Sequence, residues 1–186
     1  MPVWQQLVNK YQDNDRISII NVAIDLQGPD RVYEYAKTSK ITFPTAVDEN
    51  NIIGQKYCFK SIPSGLIIDQ EGILIYRRAS GFDIRHKEVY QEINNILVKS
   101  SSHHHLEKFI DIGSVEIPNS SIQIFREGVS LYKIGKFKEA LDKWNLALKI
   151  DPDNYIIRKQ VWAIKNPSRF YSGKVDYDWQ NDQTKN

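Results

Sequence analysis

Up to about Lys99 this chain switches repeatedly between a helical period and short β-branched runs, and from Ser120 to Lys165 it keeps a helical period alone. That single change of period admits few architectures. Alternating helices and strands form a layered α/β unit, and an unbroken helical period forms a hairpin or bundle. Trp4, Leu7, Val8 and Tyr11 stand at helical spacing and predict an opening amphipathic helix, ended by Asp13, Asn14 and Asp15. The run Ile17–Ile24 is mostly β-branched and predicts a strand buried on both faces. Gly28-Pro29 leads into a helix over about Arg31–Ser39, and Phe43–Asp48 reads as a short extended piece before a short helix. Two β-rich runs, Ile62–Asp69 and Ile73–Arg77, flank Gln70-Glu71-Gly72 and predict a hairpin. Asp83 is placed to cap a following helix whose apolar stripe is Val89, Ile93, Ile96 and Leu97.

These signals divide the 186 residues into an α/β domain over 1–99, a linker over 100–120, a helical hairpin with a capping helix over 121–166, and an aromatic tail over 167–186. The linker carries three serines followed by His103, His104 and His105, a run that solvent accommodates and that lacks the further ligands of a metal site. The tail interleaves Arg169 and Lys174 with Phe170, Tyr171, Tyr177 and Trp179. Asp176, Asp178 and Asp182 dilute its charge, so its rings are expected to fold back on the helix pair rather than stack on bases.

Composition narrows function mainly by exclusion. A net charge of +2 gives no reason to expect a nucleic-acid or anionic-membrane partner, and the apolar runs are too short to span a bilayer. The start, Met1-Pro2-Val3-Trp4, has neither a basic segment nor an apolar signal core, so the cytoplasm is the expected compartment for the chain as given. A single cysteine, Cys58, excludes an internal disulfide and a cysteine-rich zinc site, and no cofactor or metal is implied. No Gly-rich phosphate loop, carboxylate pair or Ser/His/Asp constellation stands out, and no catalytic residue is assigned.

Four motifs in order carry a resemblance: Ile20–Asp25, Thr42–Asp48, Tyr57–Pro63, and Gly65–Asp69 with Glu71-Gly72. Together they resemble a thioredoxin-fold redoxin, of the kind grouped with bacterial thiol-disulfide oxidoreductases and alkyl hydroperoxide reductase relatives. The resemblance implies a three-layer thioredoxin-like domain in which Pro63 is the cis-proline facing the active site. It also implies that Met1-Pro2 lies just beyond the Cys-x-x-Cys motif, which this chain does not contain. A dithiol enzyme needs a low-pKa attacking thiolate and a second thiol to resolve the mixed disulfide. The strand that feeds the catalytic helix is missing as well. In the family it lies between the strands assigned to 17–24 and 65–69, so those two are expected to flank a gap. Either Met1 is an internal methionine of a longer redoxin, or the gene has lost its front end.

Residues 121–154 resemble one tetratricopeptide repeat, through Gly128, Gly135, Phe137, Ala140, Trp144, Ala147, Pro152 and Asn154. Small residues at Gly128, Ala140 and Ala147 let two helices approach closely, and Ile157, Val161 and Ile164 suit a third, capping helix. The fold expected overall is therefore a thioredoxin-like α/β domain, without its first strand and the start of its catalytic helix, followed by an all-α tetratricopeptide-like hairpin. Two functions follow from it. One is a thioredoxin-family protein that is redox-inactive as given; the other is a non-catalytic interaction module. The candidate peptide groove is Ser61, Ile62 and Pro63, where an extended peptide would add to the backbone of Ile62. A protein or peptide is the expected partner, through that groove or the helical hairpin. Cys58 is a weak redox candidate, set against its bland reading as a small, half-buried apolar residue at a helix end.

Overall fold

The computed structural model describes residues 2–101, 110–112, 117–172 and 175–184. Two compact units, Met1–Ile117 and Pro118–Asn186, divide the chain. The first runs α1 (Pro2–Tyr11), β1 (Asn21–Ala23), α2 (Pro29–Thr38), β2 (Thr45–Val47), α3 (Ile52–Lys56), β3 (Gly65–Ile68), β4 (Leu74–Arg78), α4 (Lys87–Ser101) and β5 (Ile110–Ile112). It is α/β, with two small sheets. β1 and β2 pair in parallel, while β3 and β4 form an antiparallel hairpin to which β5 adds in parallel along β4.

Local chemistry sets the turns. At the hairpin, Gly72 takes a φ of 83°, and the Asp69 carboxylate accepts from the N–H groups of Glu71 at 3.1 Å and Ile73 at 2.7 Å. Both Asp48 oxygens accept at 2.8 Å, from the N–H groups of Ile52 and Ile53, so a buried carboxylate serves the first turn of α3.

The core of this unit lies where α1 and α4 meet the hairpin. Leu7, Tyr76, Phe82, Val89, Ile93 and Ile96 are all buried there. Of the predicted stripe of α4, Val89, Ile93 and Ile96 are buried, each side chain contributing roughly 1.5–3 kcal/mol by leaving water, and Leu97 is half-buried against them. Phe82 lies 5.1 Å from Trp4 and 6.1 Å from Tyr76, ring to ring. Gly65 admits it, since a Cβ there would fall 2.2 Å from the Phe82 ring. β4 sends neighbouring side chains to opposite faces. Tyr76 and Arg78 both reach the Glu92 carboxylate on α4 at 3.0 Å, whereas Arg77 donates to the Tyr57 carbonyl at 3.3 Å and to Asp111 of β5 at 3.0 Å.

Three expectations change. Of the run 17–24 only Asn21–Ala23 is a strand, and none of the eight residues is fully buried. Among the described residues β1 pairs with β2 alone, so no second ladder extends or covers it. Residues 110–112, assigned to a linker, form β5 in the sheet of the first unit. Asp83 closes a turn ahead of the helix instead of capping it. Its carbonyl accepts from His86 N–H, and the first helical bond runs from Tyr90 N–H to the His86 carbonyl. His103, His104 and His105 lie outside the described residues.

The second unit is helical: α5 (Asn119–Lys133), α6 (Phe137–Ile150), α7 (Tyr155–Lys165), α8 (Ser168–Tyr171) and α9 (Tyr177–Thr184). Gly135, at φ 80°, makes the turn between α5 and α6. Phe125, Gly128 and Val129 of α5 are buried, as are Ala140, Trp144 and Ala147 of α6. The Trp144 indole N–H donates to the Phe125 carbonyl at 3.1 Å and lies over Gly128. α7 begins at Tyr155 under an Asn154 cap whose Oδ1 accepts from Ile157 N–H at 3.2 Å. In the tail, Trp179 sits edge-on to Trp162 at 5.7 Å and to Phe170 at 6.3 Å. Arg169 pairs with Asp176 there.

Candidate functional site

Between its two sheets the first unit has an open cleft of about 1080 Å³. One wall is the run Ile17–Val22, which includes the start of β1; the opposite wall is Gly65–Asp69, which includes β3. Trp4 and Leu7 of α1 and Ile93 and Leu97 of α4 also line it, so the helices that carry the core supply apolar surface to the cleft as well. Ile53, Lys56 and Tyr57, from α3 and its end, complete it near Ile62 and Pro63.

The backbone at both walls is ordered in a definite way. Asn21 N–H donates to the Pro44 carbonyl at 2.9 Å, and the Ala23 carbonyl accepts from Asp48 N–H at 2.8 Å. Asn21 and Ala23 therefore point their peptide groups at β2, and alternation turns those of Val22 the other way. On the opposite wall Asp69 N–H donates to the Ile73 carbonyl at 2.9 Å, which assigns Asp69 and Ile67 to β4 and turns Leu66 and Ile68 outward. Neither outward edge has a strand beside it among the described residues. Around the same cleft Ile20, Ile62 and Ile68 are 61%, 46% and 51% exposed, although each is a large apolar side chain.

The predicted site residues separate. Ile62 and Pro63 line the cleft, and the peptide bond between them is cis. Pro63 is pinned through its carbonyl, which accepts from Phe82 N–H at 2.9 Å. The carbonyl of Ser61 faces inward, with Ser64 Oγ 2.5 Å away and donating toward it. Cys58 sits just past α3 at a φ of 55°, half-buried and free of any disulfide; its neighbours Tyr57 and Phe59 line the cleft and it does not. Arg77 is the residue that sequence reasoning missed. It holds the Tyr57 carbonyl, and its pKa is raised first by the bond to Asp111 and, least, by the charge of Cys58. Lys56 and Lys60 are nearer to Cys58 in sequence, and only the fold brings Arg77 close.

Next to the cleft, Tyr76 is fully buried, and burial pushes its phenol up to about 12, with Glu92 raising it further against Arg78. It is a proton donor to Glu92 and not a base. Among the described residues no three or more His, Cys, Asp or Glu side chains converge as metal ligands. No helix among them is long and apolar enough to cross a membrane. The cleft thus offers apolar side chains and outward peptide groups, which suit the binding of an extended chain. Protein-family models, curated proteins and solved structures were all compared with the chain, and none matches.

Proposed function

We propose that the first unit is a redoxin-type, thioredoxin-like module standing without its dithiol, and that these 186 residues act by binding rather than by disulfide exchange. The observation that carries the reading is the open cleft between β1 and β3, two strand edges with no strand between them among the described residues. In the redoxins that the sequence resembles, that position belongs to the strand feeding the catalytic helix. The motifs around Ile20–Asp25 and Gly65–Asp69 fall on the two walls of the cleft. With one cysteine, the chain by itself carries a disulfide substrate no further than a mixed disulfide at Cys58, and only a thiol from outside it could complete the exchange.

The proposal extends to the second unit, read as a tetratricopeptide-like hairpin. Its support is the close approach of α5 and α6 at Gly128 and Trp144, with α7 as a third helix. On the alternative reading, the chain is an interaction module in its own right, working through the Ile62-Pro63 groove and that hairpin.

The deciding measurement is the intact mass and N-terminal peptide of the endogenous protein. An N-terminus upstream, with an added strand and a Cys-x-x-Cys pair, makes these residues part of a working oxidoreductase. An N-terminus at Met1 or Pro2 selects the interaction module. Catalytic turnover of a disulfide substrate by the 186-residue chain, abolished by Cys58→Ser, would overturn the redox-inactive reading.

A further inference from the structure

We infer that the turn joining α5 to α6 is a membrane-surface contact, which lays Ile134 and Phe137 into the headgroup boundary of an anionic bilayer and sets lysine ammonium groups against its charged headgroups. The inference concerns the second unit alone and stands apart from the redoxin reading of the first.

The backbone closes this turn by itself. Gly135 takes a φ of 80°, and the N–H groups of Gly135 and Lys136 donate to the Tyr132 and Leu131 carbonyls, each at 3.0 Å. The turn therefore makes no use of the Ile134 side chain, which at 69% is the most exposed large apolar side chain among the described residues. Phe137 is 53% exposed, its ring set edge-on to Tyr132 at 5.1 Å. Both stand among Lys133, Lys136 and Lys138, all exposed, and Glu139 is the one acid in the run 131–139. Neither Lys136 nor Lys138 pairs with an acid among the described residues. Lys136 also occupies the N-cap of α6 without making a cap bond, in a place where a cation disfavours the helix. Local folding thus accounts for neither the bare apolar pair nor the lysines around it. The net charge of +2 averages this local excess away over the whole chain.

The shape of the tip selects the occupant. A Cβ added at Gly135 would meet no atom within 4 Å, so the turn projects outward. A protein partner would need a matching groove for such a tip, whereas the fluid boundary of a bilayer closes around it. Lysine stems are long enough to hold their ammonium groups among the headgroups while Ile134 and Phe137 go deeper. Clustered lysines add attraction to an anionic leaflet. A contact of this kind lies on the membrane and needs no spanning helix.

The test is flotation of the 186-residue chain with phosphatidylcholine vesicles, prepared with and without phosphatidylserine. The expected result is binding to the vesicles that contain phosphatidylserine and none to phosphatidylcholine alone, weakening as salt rises. Ile134→Ser leaves the charge unchanged and should weaken binding about tenfold. Lys136→Gln and Lys138→Gln should each weaken it about fivefold. Lys149→Gln, at an exposed lysine in the last turn of α6, should leave binding unchanged. All four positions are exposed, so the thermal melts of the variants should match that of the parent. No binding to phosphatidylserine vesicles, or an Ile134→Ser protein that binds them as tightly as the parent, overturns the inference. A dimer in sedimentation that Ile134→Ser dissolves overturns it too, by making the patch an interface between copies of this chain.

Discussion

Gly128→Ala should destabilise the helical unit, although alanine is the better helix former. In the middle of α5, replacing glycine gains about 0.8–1 kcal/mol of helix propensity. Against that gain, a Cβ at this position would lie 2.3 Å from Trp144 Nε1 and 2.6 Å from Cδ1, inside any real contact distance. Trp144 is fully buried between the helices and cannot swing out, so the overlap costs roughly 1–3 kcal/mol as overpacking. Moving the ring also breaks its bond to the Phe125 carbonyl, and a buried indole N–H without a partner costs about 1–3 kcal/mol more. The net loss is then about 1–5 kcal/mol, with roughly 3 as the central value. Urea unfolding, followed by far-UV circular dichroism and tryptophan fluorescence, measures it, with separate transitions for the two units allowed for. In a Trp144→Phe background, where there is no indole N–H bond left to break, the same glycine substitution should cost less, a coupling that a double-mutant cycle reads directly. A Gly128→Ala protein as stable as its parent, or more so, would refute the close approach of α5 and α6.

Other perturbations test the first unit. Asp48→Ala should cost about 1–2 kcal/mol in a denaturant titration, because the N–H groups of Ile52 and Ile53 lose their acceptor at the start of α3. The Tyr76 phenol is raised to about 12 in the folded state, so the stability it contributes is complete below pH 10 and lost as pH climbs from 10 to 12. That loss is roughly 1.4 kcal/mol per pH unit. Tyr76→Phe should flatten the alkaline limb of a stability-against-pH curve, and an unchanged limb would place the phenol elsewhere. Asp83 is held down at about 2, chiefly by its bond to Arg85, so its contribution is present above pH 4 and fades as pH falls toward 2. Arg85 is largely exposed and water screens the pair, so Asp83→Asn should remove about 0.5–1 kcal/mol at neutral pH and part of the acid sensitivity, as measured by thermal melts across pH 2–7.

What the sequence made legible is what depends on neighbours along the chain. The α4 stripe, the Gly72 turn and the α5–α6 hairpin are set by residues a few places apart, and their periods are visible directly. Ile17–Ile24 shows the limit: its β-branched composition suits a strand, but strand length is set by pairing, and β1 has a partner only along Asn21–Ala23. β5 falls within 109–117, a stretch that reads as extended, but three residues carry too little periodic signal to place it in a sheet and not in the linker. Its place beside β4 is held by Arg77–Asp111, a contact between residues 34 apart in sequence. At the site, Ile62 and Pro63 were readable from their local motif. The apolar surface from α1 and α4 was not, since Trp4 and Leu97 meet only through the fold.

The place of β5 bears on how the two halves can be studied apart. A cut after Lys99, where the helical period of α4 finishes in the sequence, would strip the strand paired to Tyr76–Arg78 and leave that rim of the hairpin bare. Arg77 would lose Asp111 at the same stroke, and the exposed rim would become a template for self-association. A cut at the Ile117–Pro118 boundary keeps that strand with its sheet, and the helical half then begins on its own first turn at Asn119.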